Sequence, residues 1–206
     1  MAEFWEQAFR ARNLLWGEEP TASAVATAEA FAQAGLKRIL IPGFGYGRNA
    51  RPFVDRGMEV TGIEISETAI ALARGLLGPG VTIHHGAVDK MPFDDEIYDG
   101  VYCHALVHLL GDRERGQFLA DCWAQVRPGG HLVFTAITKT APTYGVGHRL
   151  GPDRFRTKDG VDLFFYDQDS IQAEFGPWGL VEAQTTVDAP TGKPSTEFWT
   201  IGCRRT

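Results

Sequence analysis

Residues 38–49, which read RILIPGFGYGRN, decide the fold. A short apolar run comes first, glycines follow at positions 43, 45 and 47, and the next residues suit a helix that stops at Gly57. Glycine accepts positive φ angles and lets a ligand approach the backbone closely. The free N–H groups at the start of a helix favour an anionic group. The stretch therefore predicts a strand, a ligand-binding loop and a helix, in that order.

The glycine spacing distinguishes two kinds of loop. Dinucleotide-binding loops have the spacing GxGxxG, but here the third glycine comes one residue early and Arg48 occupies its place. The spacing GxGxG is found in many enzymes that use S-adenosylmethionine. Glu64 ends the next predicted strand, about 20 residues after the loop, where a carboxylate can accept both hydroxyls of a ribose.

Segments of strand length and helix length alternate through the rest of the chain. The predicted strands are 38–41, 59–63, 81–85, 100–103, 131–137, 180–187 and 197–203. The predicted helices are 4–34 (broken around 17–20), 48–56, 67–77, 113–126 and 167–175. This alternation predicts an α/β, Rossmann-like fold with helices on both faces of a seven-stranded, mostly parallel sheet. The last two strands have no helix between them, so we expect a C-terminal antiparallel hairpin.

We expect a single domain over 1–206 with three parts. Residues 1–36 would form a helical lid, 37–138 a cofactor-binding half, and 139–206 a substrate loop followed by the hairpin. The segment from about 139 to 163 is rich in glycine and proline, and we predict it to be a loop. It is longer than most connections, and such loops are usually functional or disordered.

Composition argues against several classes of protein. The formal net charge is -6, whereas a broad nucleic-acid surface needs a basic face. No apolar run approaches the ~20 residues that span a bilayer, and the N-terminus lacks the apolar stretch of a signal peptide. We therefore expect a cytoplasmic protein with no nucleic-acid or membrane partner. Cys103, Cys122 and Cys203 are widely spaced, which predicts buried thiols rather than a disulfide or a zinc site.

Several segments together resemble the class I S-adenosylmethionine-dependent methyltransferases. The GRN after the glycine loop is similar to the tellurite-resistance methyltransferases, and FVDRGMEVTGIEIS resembles a stretch of the thiopurine methyltransferases. GAVDKMPFDDEIYDGVYCHALVHLL and RPGGHLVF resemble the third to fifth strands of that superfamily. The resemblance runs from Trp16 to the end of the chain. It implies the class I methyltransferase fold and S-adenosyl-L-methionine as the cofactor, but it does not specify the substrate.

The resemblance also implies cofactor-binding roles for individual residues. Glu64 would hold the ribose hydroxyls, Ile65 would lie against the adenine, and His104 would sit beneath the sulfonium. Ala87 and Val88 would flank the adenine edge. The remaining residues implied at the cofactor are Trp16, Gly43, Gly45, Gly47 and Asn49.

Two positions depart from the family pattern. The acid often found two residues before the first glycine is Ile41 here, so another acceptor must support the cofactor's amino group. The acid usual at the adenine position is Ala87, for which Asp89 is a candidate substitute. Arg12 and Arg48 are candidates to pair with the cofactor carboxylate, because arginine binds carboxylates in a bidentate manner.

The sequence does not identify a catalytic base. His104 and His108 share a face only if their segment is helical, and with no third ligand nearby we expect no metal. Further candidates lie in or beside the loop: Tyr144, His148, Arg149, Arg154 and Tyr166. Four N-terminal aromatic residues predict either a helix packed on the core or one wall of an apolar pocket: Phe4, Trp5, Phe9 and Trp16.

The function that these observations favour is in-line methyl transfer to a small-molecule acceptor by a monomer or homodimer. A thiol or other soft nucleophile is slightly favoured by the resemblance, and O- or N-methylation of a metabolite or natural product is nearly as well supported. The rivals are a nicotinamide-dependent oxidoreductase, against which the early third glycine counts, and a non-catalytic module that binds S-adenosylmethionine.

Overall fold

The computed structural model describes residues 2–190, 192 and 194–206. Its helices are α1 (Ala2–Ala11), α2 (Ala22–Gln33), α3 (Arg51–Val54), α4 (Glu67–Leu77), α5 (Asp112–Ala124) and α6 (Gln168–Phe175). The strands of the main sheet are β1 (Arg38–Pro42), β2 (Glu59–Glu64), β3 (Thr82–His85), β4 (Tyr98–Cys103), β5 (Val126–Ile137), β9 (Leu180–Asp188) and β10 (Thr196–Arg204). The strands β6 (His148–Gly151), β7 (Arg154–Arg156) and β8 (Asp162–Phe164) form a second, smaller sheet.

The main sheet has the strand order β3-β2-β1-β4-β5-β10-β9. Strands β1 to β5 pair in parallel, and β10 runs antiparallel to both β5 and β9. The predicted seven-stranded, mostly parallel sheet with its C-terminal hairpin is therefore confirmed. The chain moves outward from β1 to β3 and then returns to β4 on the other side of β1. Open α/β sheets bind ligands at the carboxyl ends of the strands where the order reverses in this way.

Strand β1 shows how both faces of the sheet are buried. Successive side chains of a strand point to opposite faces, and Leu40 packs in a cluster with Phe118 and other residues under α5. Its neighbours Ile39 and Ile41 pack in a separate cluster that includes Phe31 of α2. Helices thus cover the two faces of one sheet, as the continuous apolar run of β1 predicts.

The second sheet corrects the prediction of an unstructured loop over 139–163. Its three strands are antiparallel and only three or four residues long, so they show little hydrophobic alternation. Phe155 of β7 packs with Phe165 in a small buried cluster, and an ion pair joins Arg156 to Asp162 across β7 and β8 at 2.6 Å. Tertiary packing therefore forms strands in a segment whose glycine-rich composition is typical of loops.

Other differences concern element boundaries. The helix predicted over 48–56 is the single turn α3, and β5 begins at Val126, so the RPGG segment lies within the strand rather than before it. Cys103, Cys122 and Cys203 are buried free thiols, as predicted. Across the described residues, every helix is too short or too polar to cross a membrane.

Candidate functional site

A cavity of about 530 Å³ opens at the carboxyl ends of β1, β2 and β4. It falls in the size range of small-molecule sites, about 300–1,000 Å³. Nine of the residues predicted at the cofactor line it: Trp16, Gly43, Gly45, Asn49, Glu64, Ile65, Ala87, Val88 and His104. His108 and Asp89 line it as well, and Ile41 does so with an apolar side chain.

The glycine loop takes the backbone shape that the sequence predicts. Gly43, Gly45 and Gly47 all have positive φ, at 71°, 57° and 84°. The backbone N–H groups of Gly43 and Phe44 both donate to the Ile63 carbonyl at 3.0 Å, which joins the loop to the end of β2. Gly47 lies outside the cavity lining. A Cβ there would come within 2.7 Å of Leu77 Cδ1, so this glycine allows the loop to pack against α4.

Glu64 is the most enclosed acid of the site, with 6% of its surface exposed. Its Oε1 accepts from the backbone N–H groups of Ile65 and Ser66 at 2.8 and 2.9 Å, and its Oε2 accepts from Gly45 N–H at 2.7 Å. Burial raises the pKa of Glu64, while these three hydrogen bonds oppose that shift. A carboxylate accepts about four hydrogen bonds, so Oε2 keeps capacity for one more donor from the cavity.

The N-terminal segment covers one side of the cavity. Phe9, Trp16 and Tyr46 pack as an aromatic cluster, with the rings of Trp16 and Tyr46 stacked. The Tyr46 hydroxyl donates to the Gly17 carbonyl at 2.6 Å and accepts from Trp16 N–H at 3.0 Å. These contacts hold the segment against the glycine loop.

Glu6 holds α1 in place at a second point. Its carboxylate accepts from the hydroxyls of Ser66 and Thr68, each at 2.6 Å, at the start of α4. These hydrogen bonds lower the pKa of Glu6 to about 2. Trp5 and Phe9 of α1 therefore lie over the cavity because the segment is anchored both at Glu6 and near Trp16, and they form one of its walls, whereas Phe4 lies outside the lining.

Three polar side chains meet at another side of the cavity. Arg48 donates through Nη1 to the carbonyls of Trp16 and Glu19 at 3.0 and 3.2 Å, and its Nη2 lies 3.4 Å from Asp188 Oδ2. His104 Nε2 is 3.9 Å from the same Asp188 oxygen. We did not predict Asp188 from the sequence, because it stands in a turn-rich segment at the end of β9 and no local pattern connects it to the site.

His104 and His108 both face the cavity, although their segment is not an α-helix. It forms a short 3₁₀ turn over Val107–Leu109, so the shared helix face considered from their spacing does not exist. Thr135 Oγ1 accepts from Ala105 N–H at 2.9 Å and lies 2.8 Å from His104 Nδ1. His108 Nδ1 accepts from Ile137 N–H at 3.3 Å. Burial lowers the pKa of both histidines to about 3, so both are neutral at physiological pH.

The second sheet supplies the cavity wall beyond the two histidines. Val161 and Leu163 contribute to it, together with Leu109, Leu110 and Phe198. Glu114 also lines this part, but its Oε2 accepts from Gly111 N–H at 2.8 Å and caps α5. This end of the cavity is therefore mainly apolar.

The other candidate residues lie outside the cavity. The Tyr144 hydroxyl donates to Asp153 at 2.6 Å, and His148 is exposed on β6. Arg12 and Arg149 are exposed, while Arg154 donates to the Leu110 carbonyl at 2.7 Å. Of the two arginines considered for the cofactor carboxylate, only Arg48 reaches the cavity.

Comparison with known proteins finds a matching family model and several sequence relatives. Residues 40–134 match the family model described as a methyltransferase domain. A probable S-adenosylmethionine-dependent methyltransferase of Mycolicibacterium smegmatis is 30% identical over 121 residues, 59% of this chain and 45% of that protein. A ubiquinone biosynthesis O-methyltransferase of Aromatoleum aromaticum is 32% identical over 117 residues, 54% of this chain and 49% of that protein. The chain spans about half the length of the curated relatives it matches.

A solved structure supports the fold over the whole chain. The 1,6-didemethyltoxoflavin-N1-methyltransferase of Burkholderia thailandensis, solved with bound 1,6-didemethyltoxoflavin and S-adenosylhomocysteine, superposes with a TM-score of 0.75. The match covers 100% of this chain and 86% of that one, at 18% identity. At that identity the likeness concerns the fold, which is the one predicted from the sequence.

Proposed function

We propose that this chain, whose residues 40–134 match the family model of a methyltransferase domain, transfers the methyl group of S-adenosylmethionine to a small molecule. The observation that carries this proposal is the hydrogen bond between the buried Glu64 carboxylate and Gly45 N–H. It joins the acid at the end of β2 to a loop of positive-φ glycines that lines the same cavity. A carboxylate with spare acceptor capacity beside an uncrowded backbone suits a ribose.

The residues of the cavity fit the parts of the cofactor in turn. Glu64 would accept from the ribose, Gly43 and Gly45 would leave room for the chain that leads to the sulfonium, and Ile65 and Val88 would enclose the adenine. A Cβ at Gly45 would meet only Phe9 Cζ, at 4.0 Å, whereas a Cβ at Gly43 would lie 3.2 Å from Leu106 Cδ2, so the glycine at position 43 also makes room for Leu106. When bound, the cofactor supplies a methyl group that is already activated by positive charge on sulfur.

We propose that the acceptor is a nucleophile that needs no general base. His104 has Thr135 at one ring nitrogen and Asp188 near the other, and His108 accepts from Ile137. Both histidines have a pKa of about 3 because they are buried, so neither is a strong proton acceptor near neutral pH. A thiolate or another soft nucleophile fits this end of the cavity better than an alcohol or amine that must lose a proton.

This chain's own part in the reaction is then to position the acceptor against the cofactor and to exclude water. The apolar wall of Leu109, Leu163 and Phe198 would hold the acceptor, and the N-terminal segment would close the other side. Correct placement of two reactants can contribute about 7–11 kcal/mol to lowering a barrier. Positioning is therefore a source of rate enhancement that needs no base.

O- or N-methylation is the second candidate. The relatives include an enzyme named as an O-methyltransferase and a solved N-methyltransferase. An acceptor of that kind fits if its oxygen or nitrogen is already deprotonated in solution, as in an acidic phenol.

Two measurements test the proposal. Calorimetry with S-adenosylhomocysteine and with NAD should detect binding of the first alone, and binding of NAD alone would overturn the cofactor assignment. A panel of thiols, phenols of graded acidity and amines should then be assayed by formation of S-adenosylhomocysteine, with Glu64→Ala as the blank. We expect thiols to be methylated fastest and acidic phenols next. Methylation of amines alone would refute the acceptor class.

We further propose that the protein acts in the cytoplasm as a monomer or homodimer without nucleic acid. The net charge of -6 supports the last point, since phosphate binding needs a basic face. Light scattering coupled to gel filtration, with and without added RNA, checks both the mass and the expected lack of a complex.

A further inference from the structure

We propose that Asp188, at the end of the C-terminal hairpin, binds the ammonium group of the cofactor's amino-acid end, and that Arg48 beside it orients the carboxylate. This inference rests on the proposed function, because it assigns one end of the same cofactor. It answers the question raised by Ile41, which lines the cavity with an apolar side chain where an acid is usual.

Asp188 reaches the site from a distant part of the chain. It is the last residue of β9, the edge strand of the main sheet, and 140 positions separate it from Arg48. Its side chain is nevertheless largely buried, with only 14% of its surface exposed, and it lines the same cavity as the glycine loop. An acid this enclosed loses favourable contact with water, so it needs cationic or hydrogen-bonding partners.

The partners in the structure occupy only one of its two oxygens. Asp188 Oδ2 lies 3.4 Å from Arg48 Nη2 and 3.9 Å from His104 Nε2. Both are long contacts compared with a charge-assisted hydrogen bond of about 2.7–2.9 Å. Within the described residues, Oδ1 has no hydrogen-bond donor in contact. A cation with several N–H donors would satisfy this carboxylate better than its present neighbours do.

Arg48 complements the acid on the same side of the cavity. Its Nη1 is committed to the carbonyls of Trp16 and Glu19, which fixes the plane of the guanidinium. A guanidinium has five N–H donors, and these contacts and the one to Asp188 leave some of them for an incoming carboxylate. The pair therefore presents one negative and one positive group, which is the pattern that an amino-acid zwitterion requires.

A purely structural role would be an ion pair that fastens β9 to the glycine loop. The two roles differ in which ligands they affect. S-adenosylhomocysteine carries the amino-acid end, whereas 5′-methylthioadenosine keeps the adenosine and lacks that end. A residue that binds the ammonium group affects the first ligand only, and a residue that shapes the whole cavity affects both.

The experiment is calorimetry of the full chain with both ligands, for the wild type, Asp188→Asn and Glu182→Gln. Glu182 is an exposed acid on the same strand, so its variant makes the same change of charge away from the cavity. We expect Asp188→Asn to weaken the binding of S-adenosylhomocysteine by about 10- to 100-fold, which is the scale of one charged hydrogen bond. Its affinity for 5′-methylthioadenosine should stay within about twofold of the wild type, and Glu182→Gln should change neither.

Two results would overturn the inference while leaving the proposed function intact. In one, Asp188→Asn weakens the binding of both ligands equally, which indicates that the ion pair has a structural role. In the other, it weakens the binding of neither, which indicates that a different group binds the ammonium. If the wild type itself binds neither ligand, the proposed function fails and this inference fails with it. The 5′-methylthioadenosine affinity also reports whether the variant still folds.

Discussion

The Glu64 carboxylate accepts a hydrogen bond of 2.7 Å from the backbone N–H of Gly45, and this contact joins the two most informative segments of the sequence. The glycine loop follows β1 and the acid ends β2, and the two strands are adjacent in the parallel sheet. Their carboxyl ends therefore meet at one edge, where the loop and the acid enclose the same cavity.

Replacing Glu64 by alanine should remove cofactor binding and also cost stability. Three backbone N–H groups, one buried and two partly buried, would lose their acceptor, and a buried unpaired group costs about 1–3 kcal/mol. Calorimetry with S-adenosylhomocysteine measures the first effect and urea unfolding without ligand the second. Glu67→Gln is the control, since that side chain is 76% exposed at the start of α4. An affinity for Glu64→Ala close to that of the wild type would remove the ribose assignment.

Gly62 and Gly75 form a matched pair for testing how the glycine loop is supported. A Cβ on Gly62 would lie 2.3 Å from Cδ2 of the buried Phe44 ring, which belongs to the loop, whereas a Cβ on Gly75 meets nothing within 4 Å. Gly62→Ala should therefore destabilise the protein by about 1–3 kcal/mol and weaken the binding of S-adenosylhomocysteine. Gly75→Ala, on the exposed side of α4, should stabilise it by about 0.5–1 kcal/mol.

Urea unfolding and calorimetry of these two variants decide the point. If Gly62→Ala has the same midpoint of urea unfolding as the wild type, the Phe44 ring can move away from the added methyl group at no cost in stability. If it is destabilised but binds normally, the loop tolerates displacement of that ring.

The parts of the candidate site that could be predicted are those with short, local sequence patterns. Three glycines after an apolar run and an acid at the end of the next strand are local signals, and parallel pairing of β1 and β2 then brings them together without further information. Asp188 carries no such signal, because it is 140 positions from Arg48 in the sequence and only the fold of the whole sheet brings the two together.

The second sheet and the packing of Gly47 against α4 were not predicted, for related reasons. Strands of three or four residues are too short to show alternation, so β6 to β8 exist through their packing on Phe155 and Phe165. Gly47 matches the glycine pattern, yet its missing side chain makes room for Leu77 of α4 rather than for the cavity. A pattern of residue types fixes the backbone of the loop but does not distinguish packing from ligand contact.

Acid should destabilise the protein through His104 and His108. Their pKa is about 3 in the folded state because they are buried, whereas an unfolded histidine has a pKa of about 6.5. Between these values the unfolded chain binds protons that the folded chain does not, so stability is lost as the pH falls below about 6.5. Each histidine should contribute a loss of about 1 kcal/mol by about pH 5.5.

Urea unfolding at about pH 7.5 and about pH 5.5 tests this expectation. His108→Gln keeps an acceptor for Ile137 N–H and removes one titrating group, so the loss on acidification should shrink by about 1 kcal/mol. His148→Gln on the exposed strand β6 should leave the loss unchanged. An identical loss in both variants would mean that His108 is protonated in the folded protein.

Tyr46→Phe should loosen the N-terminal segment and thereby weaken cofactor binding. The hydroxyl donates to the Gly17 carbonyl at 2.6 Å and accepts from Trp16 N–H at 3.0 Å, so the variant loses two of the hydrogen bonds between that segment and the glycine loop. The ring stays buried, and the core packing is kept. We expect faster cleavage by trypsin after Arg10 and Arg12, which follow the anchored part of α1, and a fall in affinity for S-adenosylhomocysteine of about 5- to 30-fold.

Tyr144→Phe is the control for this last change. It removes a tyrosine hydroxyl that donates to Asp153 at 2.6 Å outside the cavity, so cleavage and affinity should both match the wild type. Added S-adenosylhomocysteine should slow the cleavage of the wild type, because a ligand that binds the closed segment stabilises it by mass action. Weaker binding by Tyr46→Phe with unchanged cleavage would show that the hydroxyl acts on the ligand itself, and the segment would then be a fixed wall of the site and not a lid.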